Sequence, residues 1–450
     1  MRKIFTLALG LVCFGMVSAD SLQTFNCGIG IPGRQEPALL GLGISPNGKY
    51  ICGPIENAMG YFVASVETGE VKWTVPDEAD EGELRHVDNN GLAIGFDATA
   101  ITYDFATGDV STLYCPDDVK YVLAEALSAD GSVKVGSFVA AGFETQAVVA
   151  VDGTDDWKLL PMPTEEDLAG TLQEGIKGSS AKYVSADGKI ILGCLGSFAA
   201  PVLWRLNEAG EYEVDFFIKR FGQQSEGDQG DDSYRLRSVS GMYLNLSPNG
   251  RYVSMLGLIK DEEGTNISVP AIYDTVEDKV IIYDEPQEIN IMGAENFPLY
   301  PTAIADNGTF IGSIGQPVVL SIGSFIMRAG KTQAENFLTA FPSYQEQLAA
   351  SDGNNVPTGI SADASVILGY TWYSDDFTTS EEEDPAYYLT YVIHDDYKYP
   401  DTAVEEISAD VTEATIEGIY TLDGRRSGNL VKGVNILRMS DGTTRKILRK

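Results

Sequence analysis

The sequence predicts an all-β fold: a β-propeller of seven four-stranded blades followed by a small C-terminal β-hairpin module. Three observations predict it. A five-residue turn motif recurs seven times, an apolar strand that ends in glycine follows most copies, and a second hairpin follows several of them. Two hairpins per period make a four-stranded unit, and a ring of such units hides most sheet edges.

The copies are Ile44-Ser-Pro-Asn-Gly48, Val87-Asp-Asn-Asn-Gly91, Leu127-Ser-Ala-Asp-Gly131, Val184-Ser-Ala-Asp-Gly188, Leu246-Ser-Pro-Asn-Gly250, Ile304-Ala-Asp-Asn-Gly308 and Ile360-Ser-Ala-Asp-Ala364. Ser, then Pro or Ala, then Asp or Asn, then Gly meets the demands of a type I turn whose last residue is left-handed. In the last copy Ala364 replaces glycine, where a left-handed backbone costs about 1 kcal/mol. That blade is expected to turn differently. The strands that follow run from Tyr50 to Gly53, Leu92 to Gly95, Val133 to Gly136, Ile190 to Gly193, Tyr252 to Gly257, Phe310 to Gly312 and Val366 to Gly369. The period, roughly 40 to 62 residues, suits blades of about 40 to 50 residues with insertions.

The second hairpins are clearest at Tyr61 to Val75, Ile101 to Tyr114 and Ala271 to Tyr283, each bent at a short polar turn such as Glu67-Thr-Gly-Glu70. The stretch Leu22 to Ile31 is available to complete the last blade. If the motif joins strands A and B, and the second turn joins C and D, both turns share one rim. The other rim receives the insertions Pro163 to Ser180, Phe221 to Val239, Lys260 to Ile267, Glu285 to Pro301, Lys331 to Val356 and Trp372 to Pro385. Variable loops on a rigid scaffold are where binding usually resides, so that second rim is the expected functional face. Two insertions read as partly helical: Thr164 to Gln173, capped by Thr164, and Thr332 to Ala340, capped by Thr332 with Glu335 in the capping-box position.

The N-terminus has the form of a secretory signal over residues 1–19. Arg2 and Lys3 give the positive start, Ile4 to Gly15 the apolar core, and Val17-Ser-Ala19 the cleavage site. Cys13 raises a lipoprotein reading, but Gly10 stands where such a signal wants Leu, and bulky Phe14 follows. No other stretch reaches the ~18 apolar residues of a spanning helix. Four cysteines remain after cleavage. Cys27 with Cys52 is the first disulfide to test, with buried free thiols the equal alternative.

The net charge is −35, and cleavage after Ala19 leaves 66 acidic against 29 basic residues. Nucleic acid is therefore excluded as a partner class on charge. From Gly418 onward the balance inverts: Arg425, Arg426, Lys432, Arg438, Arg445, Lys446, Arg449 and Lys450 face only Asp423 and Asp441. Such asymmetry marks a separate module, giving a propeller over 20–400 and a linker with a basic β segment over 401–450.

The turn-strand-glycine pattern, with Ala124, Ala181, Thr302 or Thr358 shortly before it, resembles the extracellular HAF-type repeats and is similar to the SPDG blades of other bacterial propellers. The resemblance runs roughly from Leu39 to His394 and implies a repeat, not a specific enzyme; its residues are turn formers, so nothing catalytic transfers with them. The tail, Ile419-Tyr-Thr-Leu-Asp-Gly-Arg-Arg426 with Lys432-Gly-Val and the hairpin to Lys450, resembles the C-terminal sorting domains of the type IX (Por) secretion system of Bacteroidetes. That resemblance implies a secreted or surface-displayed chain that engages secretion machinery, periplasmic if the tail does not work as a signal. A basic hairpin with a structural role alone is the alternative.

Chemistry is less legible. His86 and His394 are the two histidines, on different blades, and no HExxH, GxSxG or zinc spacing exists. His394 sits beside Asp395, but a structural histidine is the favoured reading. Gly28, Gly30 and Gly33, and the span Gly43 to Lys49, match nucleotide-loop spacings in part; neither opens a helix, so both read as turns. Candidate binding residues are Asp228, Asp231 and Asp232 in one long loop, and Trp372, Tyr373, Asp375 and Asp376 in another. The carboxylates suit calcium as hard oxygen ligands, though no cofactor is required. The aromatics could stack on sugar rings. The expected partner is a glycan or a surface protein, with no enzymatic activity implied. The alternative is a carboxylate-based glycoside hydrolase or lyase on the same face, which needs only two carboxylates at the right separation.

Overall fold

The structure, a computed structural model, describes residues 20–26, 38–56, 60–75, 82–140, 144–171, 173–196, 200–221, 238–260, 264, 266–285, 287, 289, 298–315, 322–348, 355–373, 387–398, 416–421, 426–427, 433–439 and 444–449. The chain divides into two compact units, Met1–Asp396 and Tyr397–Lys450.

The first unit is a propeller of seven antiparallel four-stranded sheets. Blade 1 comprises Ala38–Leu39 with Gly43–Ile44 as strand A, Tyr50–Glu56 as B, Gly60–Ser65 as C and Val71–Thr74 as D. Blades 2, 3 and 4 begin at Glu83–Val87, Tyr121–Leu127 and Ser179–Val184; blades 5 and 6 begin at Ser238–Leu246 and Leu299–Ile304. Blade 7 holds Asn355–Ile360, Val366–Tyr373 and Tyr387–His394, and its outer strand is Ser21–Phe25 from the other end of the unit. Ser21 pairs with His394 and Phe25 with Thr390, antiparallel. The N-terminal stretch thus completes the last blade, as the sequence suggested.

The apolar core lies between blades. Phe25, Leu39, Ile44, Phe62, Leu368 and Val392 join blade 7 to blade 1, and Trp204, Phe217, Val253 and Tyr273 belong to the cluster spanning blades 3 to 5. Alternating apolar strands bury both faces of each sheet against neighbouring sheets, which is why runs such as Gly60–Ser65 are buried throughout.

The turn motif works by satisfying its own backbone. Ser45 Oγ accepts from Tyr50 N–H and donates to Asn47 Oδ1, and Ser128, Ser185, Ser247 and Ser361 repeat the arrangement fully buried. The closing glycine is left-handed, with φ of 70° at Gly48. Ala364 adopts φ 63° and keeps the same bonds, its N–H to Ser361 O at 3.0 Å. The expectation that this blade turns differently is therefore corrected: the buried Ser361 network outweighs the cost of a left-handed alanine.

The third motif residue links each turn to the next blade. N–H of Asn89, Ala129, Ala186, Asp306 and Ala362 donates to the carbonyl of Ala129, Ala186, Pro248, Ala362 and Pro46 respectively, at 2.5–3.0 Å. Proline cannot donate, so the blades with Pro46 and Pro248 need a substitute. There the fourth residue is Asn: Asn47 Nδ2 donates to Asn89 O at 3.2 Å and Asn249 Nδ2 to Asp306 O at 3.4 Å. Their own N–H groups donate to the Asn89 and Asp306 side chains. The seven links form a closed ring, and they explain why Pro-Asn copies precede the only copies with Asn or Asp in the third place.

Strand order puts A–B and C–D turns at one end, where none exceeds seven residues, while residues 160–178, 216–237, 283–298 and 337–354 join D to A at the other. A short helix Glu165–Leu168 is capped by Thr164, whose Oγ1 accepts from Asp167 N–H. The second expected helix starts later than Thr332. Glu335 and Asn336 form an outer strand beside Phe325 and Ile326, and Asn336 caps Phe337–Ala340. Strand pairing captured the residues that the capping pattern alone assigned to a helix. Among the described residues no helix is long and apolar enough to cross a membrane.

Cys52 is a free, buried thiol whose pKa is pushed up by burial; Cys27, its expected disulfide partner, lies outside the described residues. The second unit is a four-stranded sheet, ordered Arg426–Ser427, Ile416–Thr421, Gly433–Met439, Thr444–Arg449. It contains the expected hairpin and two further strands, with Asn435 and Leu437 buried.

Candidate ligand site in the central channel

Strand A of most blades carries a one-residue bulge, and the glycine that ends each motif strand permits it. The register slips between Leu84 and His86, Ala124 and Ala126, Ala181 and Tyr183, Pro301 and Ala303, and Pro357 and Gly359. Opposite the start of each slip sits a strand-B glycine: Gly95, Gly136, Gly193, Gly312 and Gly369. A Cβ on Gly95, Gly136, Gly193 or Gly312 would fall 1.9–2.0 Å from a strand-A carbonyl oxygen, so only glycine fits.

The inserted residues are Arg85, Glu125, Lys182, Thr302 and Thr358, and all line the central channel. From blade 2 to blade 4 they form an ionic chain. Arg85 Nη1 meets Glu125 Oε2 at 2.5 Å, and Lys182 Nζ meets Glu125 Oε1 at 2.5 Å. Arg85 Nε also donates to Glu83 Oε1 at 2.6 Å. Glu125 is only 7% exposed, and the flanking carboxylates hold the Arg85 guanidinium firmly protonated against the cost of burial. From blade 4 onward the links are neutral. Tyr183 OH lies 3.3 Å from the Asn245 amide, Thr302 Oγ1 donates to Pro357 O at 2.5 Å, and Thr358 Oγ1 donates to Gly41 O at 2.6 Å.

Between this belt and the turn ring lies a cavity of about 270 Å³, lined by Leu42, Arg85, His86, Glu125, Lys182, Asn245, Thr302 and Thr358 among others. His86 Nδ1 accepts from Leu127 N–H at 3.3 Å, which leaves the ring proton on Nε2. Burial lowers its pKa from 6.5 to about 4, so the ring is neutral at pH 7. A wider depression of about 450 Å³ lies at the turn ring, sharing Pro46, Ala186 and Pro248 with the cavity and rimmed also by Asn47, Asn89, Asp187, Asn249 and Asp306. Tight turns that read as scaffold alone therefore also frame a mouth.

Trp372 and Tyr373 end strand B of blade 7, opposite Tyr388 and Tyr387; their side chains lie outside the described residues, as do Asp228, Asp231, Asp232, Asp375 and Asp376 entirely. Among the described residues no three His, Cys, Asp or Glu side chains are grouped to hold a metal ion. His394 is held below its ordinary pKa by burial, and the neighbouring Asp395 is engaged by Arg328 Nη1 at 2.6 Å. The span Gly43 to Lys49 is a strand end and a turn, as expected. The channel residues were missed by motif reading, although a signal existed: Arg85, Glu125 and Lys182 stand two places before the motif in three consecutive copies.

No family model and no curated protein matches the chain. Solved structures do. An oligogalacturonate lyase from Vibrio parahaemolyticus is 12% identical, with 84% of this chain and 98% of that one covered at a TM-score of 0.50. The β-propeller domain of the Trilobed protease from Pyrococcus furiosus is 10% identical, covering 78% and 95% at 0.40. TolB from Acinetobacter baumannii is 14% identical, covering 65% and 64% at 0.38. These likenesses concern the fold.

Proposed function

We propose that the chain is an exported, secreted or surface-displayed binding module that holds a glycan or a surface protein on the rim with the long connections. The observation that carries this reading is the strand order: within the propeller every connection longer than seven residues joins strands at one rim, while the other is closed by a ring of backbone and side-chain links. A rigid ring with variation confined to one rim is the arrangement of a scaffold that presents loops. The signal-like N-terminus and the sorting-like basic tail supply the route, with the tail engaging the secretion machinery. Calcium bound by the acidic loops would brace that face.

The second reading is a carboxylate-based lyase or glycoside hydrolase; the neighbour named as an oligogalacturonate lyase shares only the fold. Glu125 has one oxygen bound to Arg85 and the other to Lys182, so it is arranged as a charge partner between two cations. A glycan array on residues 20–450, with an activity screen on each hit, separates the readings. Retention of a glycan without turnover supports the module, turnover supports the enzyme, and silence in both overturns the glycan arm in favour of a protein partner sought by cell-surface crosslinking.

A further inference from the structure

We propose that the channel cavity is a second, separate site, for a small hydroxylated carboxylate of about single-sugar size. It is independent of the long-loop face, so either proposal can fail alone.

Charge supports an anion. Among the ionised side chains that line the cavity, Arg85 and Lys182 outnumber Glu125, within a chain of net charge −35. Glu83, which also pairs with Arg85, is not part of that lining, so the surface a ligand meets carries more cationic than anionic groups.

Geometry supports a carboxylate with hydroxyls. Arg85 has five N–H donors, and the bonds to Glu83 and Glu125 take one from each nitrogen, leaving two. One of these is on Nη1 and one on Nη2, and each can donate to a carboxylate oxygen. His86, its Nδ1 occupied by Leu127 N–H, presents Nε2–H as a further donor. Tyr183 also lines the cavity, its hydroxyl 3.3 Å from the Asn245 amide and able to accept one further hydrogen bond. At about 270 Å³ the cavity falls just below the ~300–1,000 Å³ of drug-sized pockets, which selects a single ring or short polyol acid over an oligomer.

Access is from the turn-ring side. The mouth carboxylates are occupied: Asp187 by Lys189 at 3.0 Å, and Asp306 by Asn249 N–H at 2.7 Å. The contrast with blades 6 and 7 also argues for a role. Thr302 and Thr358 fill the same bulge position with internally satisfied hydroxyls and tie the blades together without charge. Structure alone does not demand the costly ionic version on blades 2 to 4.

The test is calorimetric titration of residues 20–450 with D-glucuronate, with D-glucose as the neutral counterpart, paired with melting curves. Binding and a raised melting temperature with glucuronate, and neither with glucose, are expected. Lys182→Gln should weaken binding about tenfold or more, the scale of one charged hydrogen bond. Leu42→Trp, which fills the cavity from blade 1 without touching an ion pair, should abolish it. Absence of binding to glucuronate at millimolar concentration, equal binding of glucose, or full binding by a folded Leu42→Trp variant would each overturn the proposal.

Discussion

The two arcs of the channel wall solve one problem with different chemistry. At the bulge of strand A, blades 2 to 4 place Arg85, Glu125 and Lys182, while blades 6 and 7 place Thr302 and Thr358. Both arcs connect a blade to its neighbour across the channel lining. The neutral arc does so with hydrogen bonds from hydroxyl to carbonyl, at low desolvation cost. The ionic arc takes three charges partly out of water and recovers that only because Glu125 is shared. The lesson is that the bulge is a presentation device, and the scaffold leaves its side chain open to choice.

The largest expected effect breaks the ionic arc at its centre. Glu125→Ala leaves Arg85 and Lys182 facing each other and should cost about 2–3 kcal/mol, below the value for fully buried pairs because both cations keep some solvent contact. Urea unfolding should show a lower midpoint at unchanged slope. In the neutral arc Thr302→Val removes the donor to Pro357 O and should cost about 1–2 kcal/mol. Salt separates the arcs further: added salt should weaken the first effect modestly and leave the second unchanged.

Acid should sharpen the same contrast. Burial depresses the His86 pKa from 6.5 in the unfolded chain to about 4 in the fold. Below 6.5 the unfolded state takes up a proton that the folded state refuses until about 4, so the His86 contribution is complete above 6.5 and lost progressively as pH falls through that window. Comparing melting temperatures across it, His86→Asn should flatten the loss on this arc, whereas Thr302→Val should leave the profile parallel to wild type. The smallest effect lies outside both arcs. Ala364→Gly relieves a left-handed alanine but loosens the unfolded chain, and should change stability by less than about 1 kcal/mol.

The blades were legible because turn, strand and glycine repeat locally. The closing strand Ser21–Phe25 was legible because one blade lacked a fourth strand. The helix cap at Asn336 was not, since pairing of Glu335 with Ile326 is a tertiary fact. The left-handed Ala364 was misjudged because the local penalty was weighed without the buried Ser361 bonds. The channel was missed for a different reason: a bulge moves one residue of an apolar strand to another face, and period-two reading assigns it to the wrong side. The glycines were read as strand ends, when their missing side chains also make room for the bulge.

The strand Ser21–Phe25 carries a consequence for how the molecule is made. It is synthesised ahead of every blade and is used by the last, across more than 360 residues of sequence. No ordering of blade formation along the nascent chain can finish the ring, because the clasp waits for His394 to emerge. Closure is then a slow, high-contact-order event, although the entropic cost of so long a loop grows only logarithmically with its length. A chain cut after Phe25 would hold six finished blades and one permanently open.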